Sequence, residues 1–245
     1  METLLLVLAI FTGSMLQRVT GMGFALVAAP FLVLIAGPKT GVILVNVAAV
    51  VASATVLTRV FRHVEWKKLV VLLPAALVGI VPGAAVAQSV PPAWLEILVG
   101  GMVLGGLTAS QLRSSAWRPG AQALAAAGLV SGFMNATAGV GGPALSVYAL
   151  RTRWEQSGFA ATIQPYFVAI GLATVTAKLV ADPSSAPQLS PWDWALIGLG
   201  ILSGLVAGDL LARRTGAKTA RRLMLILVYA GSVLTVVRGV AQVFS

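Results

Sequence analysis

The chain has 245 residues, of which 58% are apolar and only 10% charged, and its mean hydropathy is +0.93. That excludes an ordinary water-soluble domain, where about a quarter of residues are charged. The net charge of +10 first suggests nucleic acid, but the basic residues sit in short clusters between apolar runs, a pattern of membrane spans with loops facing anionic lipid.

Taken in chain order, the apolar segments run 2–19, 24–36, 40–58, 67–88, 93–112, 120–137, 141–150, 156–178, 192–212 and 219–243. The first stretch, Glu2 to Ile10, lacks the basic start and small-residue cleavage site of a secretory leader. Most segments match a hydrocarbon core about 30 Å thick. Segments 24–36 and 141–150 do not: at about 1.5 Å per residue they reach roughly 20 and 15 Å. Each follows a glycine-bearing polar break, Gln17-Arg18-Val19-Thr20-Gly21-Met22-Gly23 and Asn135-Ala136-Thr137-Ala138-Gly139-Val140-Gly141-Gly142-Pro143.

The two breaks are related. A shift of 118 residues places Gln17 on Asn135, Gly21 on Gly139, Gly23 on Gly141 and Asn46 on Gln164. A shift of 125 places Gly79 and Gly83 on Gly204 and Gly208, the longer loop 181–191 absorbing the difference. This reads as an internal duplication, 1–115 and 119–245. If each broken segment is a re-entrant hairpin that leaves by the face it entered, 13 basic residues fall on one side and 3 on the other. If each crosses once, the split is 8 against 8. The positive-inside rule selects the hairpin arrangement.

The expected fold is therefore all-α and polytopic. Its two inverted repeats each combine a broken hairpin (2–36 and 120–150) with three spans (40–58, 67–88, 93–112; 156–178, 192–212, 219–243). Both termini are expected on the non-cytoplasmic side of a bacterial inner membrane.

Broken helices at matching positions of two repeats point to a transporter binding site. The second limb of each hairpin offers unpaired N–H groups and the positive end of a helix dipole. Gly21, Gly23, Gly139, Gly141 and Gly142 would let an anion approach those groups, and Pro143 suits a first helical turn. Arg18 is a basic residue within an apolar stretch and has no acidic neighbour in sequence. Its expected partner is an anionic substrate. The plainer reading is a side chain snorkelling to the headgroups from a limb about 27 Å long. Gln17, Thr20, Asn135 and Thr137 could hydrogen-bond anion oxygens or satisfy the broken backbone. Asn46 and Gln164 could line the site or join helices, and Pro165 should kink its helix.

Elsewhere the plain readings prevail. Gly79/Gly83, Gly204/Gly208 and Gly100, Gly101, Gly105 and Gly106 read as close helix contacts. Asp209 and Arg213 read as a local ion pair, and Trp66, Trp94, Trp192 and Trp194 as an interfacial belt. His63 is the chain's one histidine and there is no cysteine, so no catalytic residue, metal or cofactor is expected.

The run Thr20-Gly21-Met22-Gly23-Phe24-Ala25, with Pro30 after it, and Gly139-Val140-Gly141-Gly142-Pro143 resemble the paired motifs of the TauE/SafE sulfite-exporter family, over essentially the whole chain. The resemblance implies transport of sulfite, sulfonates or other organosulfur anions across the bacterial inner membrane, without fixing which. The expected function is a secondary transporter working by alternating access, in the direction of export, with the two hairpins meeting near the midplane. An anion channel of the same fold and a carrier of another small anion are the competing readings; a membrane enzyme and a lipid-handling protein fit less of the pattern. The expected partners are a small anion and the bilayer, not nucleic acid, and the chain is compatible with a homo-oligomer.

Overall fold

The computed structural model describes residues 2–20, 24–111, 120–214 and 217–244. These form ten α-helices and no strand: α1 Glu2–Thr20, α2 Phe24–Ala36, α3 Pro38–Val60, α4 Trp66–Ser89, α5 Pro92–Gln111, α6 Ala121–Ala138, α7 Gly142–Thr152, α8 Gln156–Ala181, α9 Pro191–Arg214 and α10 Ala217–Val243. Six are long and apolar enough to cross a membrane, in α3, α4, α5, α8, α9 and α10. Many large apolar side chains face outward, among them Val70, Val78 and Val81 on α4 and Leu199, Leu202 and Val206 on α9. On a soluble protein such a surface would aggregate; against lipid it costs nothing.

Short turns set the interruptions. Gly37, with φ 78°, and Pro38 start α3 directly after α2. Gly139, with φ 74°, ends α6 in the left-handed conformation, and its N–H donates to Asn135 O at 2.8 Å. A side chain there would be strained. Pro143 occupies the first turn of α7.

Helices meet where side chains are smallest. A Cβ on Gly79 would lie 2.0 Å from the Leu129 carbonyl oxygen, and one on Gly83 2.6 Å from that of Phe133, so α4 lies backbone to backbone on α6. Likewise Gly204 and Gly208 of α9 lie on the carbonyls of Phe11 and Met15 of α1. Shifted by 118, Phe11 and Met15 become Leu129 and Phe133; shifted by 125, Gly79 and Gly83 become Gly204 and Gly208. The same contact thus occurs once in each pairing. Gly100 and Gly106 also make close contacts, with Ser232 on α10 and Pro143 on α7. Gly101 and Gly105 face open space, contrary to the sequence reading, because they lie on the outer side of α5.

Side-chain ties sort the helix ends into two groups. At one end, Glu65 joins Trp154 (2.5 Å) and Lys68 (2.8 Å), its backbone N–H donates to Thr162 Oγ1 (2.9 Å), and the Lys68 ammonium sits 4.0 Å from the Trp154 ring centroid. Arg59 at the end of α3 pairs with Asp209 on α9 there. At the opposite end, Lys39 joins Asp182 (3.1 Å) and Gln88 (3.2 Å), and Thr40 donates to Ser185 O (3.2 Å). Here too Arg238 of α10 contacts Glu96 of α5 and the Leu34 carbonyl of α2. Helix α1 finishes beside Asp209, whereas α2 finishes at the Lys39 end. In contrast, α6 finishes beside Lys178 near the Asp182 end, and α7 is followed by Trp154 at the Glu65 end. The two interrupted elements therefore turn back toward opposite ends. Trp66, Trp94 and Trp192 are exposed close to helix starts, whereas Trp194 is partly buried.

Two expectations follow. Gly79→Ala should destabilise the protein by about 1–3 kcal/mol through overpacking, whereas Gly101→Ala should be neutral or slightly stabilising; thermal unfolding in detergent measures both. The second concerns acid. Burial pushes the Glu65 carboxyl up, but hydrogen bonds from Lys68 and Trp154 outweigh it and hold it below the usual range. Hydrogen bonds from Ser184 and Lys39 lower Asp182. With folded pKa values depressed, these ties stabilise fully above the ordinary carboxylate range and are lost as pH falls through the lowered values. The unfolding temperature should drop on acidification, and Glu65→Gln should flatten that drop.

Candidate functional site

Four side-chain amides from both halves of the chain line one enclosed cavity: Gln17 on α1, Asn46 on α3, Asn135 on α6 and Gln164 on α8. All four are only 2–6% exposed. Phe24, Ala25 and Leu26, the first residues of α2, share the wall with Gly142 and Ser146 from the start of α7, and Ser53 and Phe167 also line it. The water-accessible volume is about 40 Å³. That is room for roughly three water molecules, far below a drug-sized pocket.

The long helices bring the amides in at two levels. Asn46 lies seven residues after Lys39, and Gln164 eight after Gln156, so each is roughly 10–12 Å along its helix from opposite ends. Residues at both interruptions reach the cavity: Gln17 and Phe24 on either side of the first, and Val140 and Gly142 at the second.

The asparagines are tied to each other. Asn135 Nδ2 donates to Asn46 Oδ1 at 2.7 Å and to Thr174 Oγ1 at 2.9 Å, and Asn46 Nδ2 donates to Val42 O at 2.9 Å. This bond joins the two halves. Sequence spacing aligned Asn135 with Gln17 and Asn46 with Gln164, but could not show that Asn135 would meet Asn46. The glutamines are less satisfied. Gln164 Nε2 donates to Ala160 O at 2.8 Å, while Gln164 Oε1 and Gln17 Oε1 are buried without a partner. Buried acceptors left unpaired cost about 1–3 kcal/mol each, so something that donates a hydrogen bond is favoured beside them.

The glycines around α7 serve close packing as well as access. A Cβ on Gly141 would lie 2.7 Å from Ser131 Oγ, which donates to Gly141 O, also at 2.7 Å. Gly142 has only the Phe167 ring tip near, at 3.9 Å, and borders the cavity. Gly139 abuts Val45 of α3. Thr137 points to α4 instead, donating to Gly83 O (3.2 Å) and Phe133 O (2.9 Å). It satisfies backbone at the α4–α6 contact. Gly21, Gly23 and the side chain of Thr20 lie outside the described residues.

Arg18 differs from its reading in sequence. Its guanidinium pairs with Asp209, 191 residues away, and Asp209 also takes Arg59 at 2.9 Å. A carboxylate partner therefore replaces the anion expected for it, and Arg18 does not line the cavity. Because Arg18 and Arg59 share Asp209, Arg18 lies at the level of the end of α3. Arg213, the partner expected for Asp209, has its side chain outside the described residues.

Sequence reasoning also passed over Lys178. It is 1% exposed inside the last turns of α8, donating to Ala136 O at 3.3 Å. It falls three residues before the loop 181–191, where the sequence gives no sign of burial. Thr174 had no signal either, because the duplicated position is Val56.

Residues 5–235 match the sulfite exporter TauE/SafE family. The chain belongs to this family. No curated protein and no solved structure matches it. The family match spans both interrupted elements and all four amides of this TauE/SafE member. Among its described residues no group of three or more His, Asp or Glu side chains is placed to hold a metal ion.

A double-mutant cycle tests the new ion pair. Both side chains of Arg18 and Asp209 are about a third exposed, so solvent screens the pair. Arg18→Ala and Asp209→Ala should be non-additive by about 0.5–1 kcal/mol in unfolding free energy. Additive losses would show that the two groups do not interact.

Proposed function

We propose that this TauE/SafE protein is a secondary transporter that carries a small sulfur-containing anion, sulfite or a sulfonate, out of the cell by alternating access. The carrying observation is the enclosed cavity on which amides from both halves converge. Its size suits a solute of a few heavy atoms.

The chemistry of the lining supports an oxyanion rather than a cation. No carboxylate borders the cavity, so a metal cation would find no countercharge. The first turns of α2 and α7 supply N–H groups that have no acceptor within their own helices. Those donors suit anion oxygens in a water-poor space. The unpaired Gln17 and Gln164 carbonyls ask for the opposite partner. A solute that accepts through several oxygens and donates through one proton, such as hydrogensulfite, uses both sets.

In this reading the halves are inverted repeats, the basic end is cytoplasmic, and both termini face away from the cytoplasm. The support is the opposite direction of the two interrupted elements, the repeated α1–α9 and α4–α6 contacts, and the bias of basic residues. Rocking one half against the other would expose the cavity to each side in turn. In this reading the burial of all four amides is the occluded state of the carrier. The Asn135–Asn46 bond crosses the moving boundary and would break and reform in each cycle.

Flux into protein-containing liposomes tests this reading. Sulfite or sulfonate uptake should saturate with concentration and be stimulated by the same anion on the far side. Gln17→Leu and Gln164→Leu should each lower flux at least tenfold while leaving the unfolding temperature nearly unchanged. Uptake no faster than in empty liposomes for every anion tried would refute the proposal, and unitary currents would replace the carrier with a channel.

A further inference from the structure

A second, larger cavity opens beside the first at the Glu65 end, with a water-accessible volume of about 610 Å³. Its inner wall is mostly apolar, Ala54 and Leu57 from α3 and Val168 from α8; the Thr58 hydroxyl beside them donates to Thr55 O at 2.8 Å. Its rim is basic, formed by Arg59, Arg62 and His63. Arg59 is already engaged by Asp209. Arg62 and His63 are exposed and have no acidic partner among the described residues. The amide-lined cavity uses none of these residues.

Exposed apolar side chains continue along both helices beyond the lining. Val51, one turn before Ala54, is 41% exposed, and Leu172, one turn beyond Val168, is 55% exposed. At the rim, Phe61 and Trp66 stack edge to face, with centroids 5.3 Å apart, and both are about half exposed. Aromatic rings of this kind sit at the headgroup level of a bilayer. A route for a small hydrophilic anion would want polar walls; this one offers a charged mouth and a greasy floor that runs out into the membrane.

We infer that this groove between α3 and α8 is a binding site for an anionic phospholipid, with the phosphate at Arg62 and His63 and an acyl chain along Ala54, Leu57 and Val168. The charge complements an anionic headgroup. The apolar furrow complements hydrocarbon, and the aromatic pair sets the depth. Occupancy would tie α3 to α8, the two helices that carry Asn46 and Gln164. The inference stands apart from the choice of transported solute.

The test uses the purified full chain in a neutral detergent. Phosphatidylglycerol should raise the unfolding temperature by several degrees and be retained in native mass spectra, whereas phosphatidylcholine of the same chains should do neither. The double variant Arg62→Gln/His63→Gln should lose at least half of that shift. Val168→Trp, which fills the furrow without changing charge, should lose it as well. Equal stabilisation by both lipids, an unchanged shift in both variants, or full stabilisation by glycerol phosphate alone would overturn the inference. Protection by sulfite that depends on Arg62 would also overturn it, by making the basin a substrate vestibule; loss of sulfite flux with the lipid response intact would instead count only against the transport reading.

Discussion

A helix that stops inside a membrane leaves backbone donors and acceptors that lipid cannot satisfy, and the architecture follows from where those groups are hidden. α1 and α6 have 19 and 18 residues, whereas α2 and α7 have only 13 and 11. Their free ends therefore lie among protein, with the first turns of both short helices at one cavity. Ser131 takes up the Gly141 carbonyl, and Lys178 takes up that of Ala136. A buried ammonium is costly in such surroundings, and here it is placed against the carbonyl end of α6, where the helix dipole is negative.

Hiding those ends requires neighbouring helices to come very near. The glycines of α4 and α9 make this possible by letting backbone touch backbone at α6 and α1. Apolar attraction between helices is weak in lipid, so close van der Waals contact carries much of the association. The same economy explains why the polar side chains cluster inward. Asn46, Asn135 and Thr174 satisfy one another across three helices, whereas the other two amides at the cavity, Gln17 and Gln164, keep unpaired carbonyl oxygens.

Charge is arranged along the same lines. Arg18, Arg59 and Asp209 hold the ends of α1, α3 and α9 together, and Lys39, Gln88 and Asp182 hold α3, α4 and the loop after α8 at the other end. These ties lie outside the cavity. The cavity is consequently lined by neutral donors and acceptors rather than by fixed charges.

What the sequence determined by itself is what depends on composition and period. Apolar length gave the spans, and the two short segments emerged at Phe24–Ala36 and Gly142–Thr152 within a residue or two. Glycine spacing marked α4 and α9 as helices that approach a neighbour closely, because a close approach in lipid has few other solutions. The amides Gln17, Asn46, Asn135 and Gln164 were legible as polar residues that a span would otherwise avoid. Only the tertiary structure decided who meets whom. Asp209 reaches Arg18 across 191 residues, Asn135 chooses Asn46, Thr137 turns to Gly83, and Gly101 and Gly105 look outward. The physical reason is that helical period fixes the face of each side chain on its own helix, whereas its partner depends on the rotation and depth of another helix, which packing alone sets.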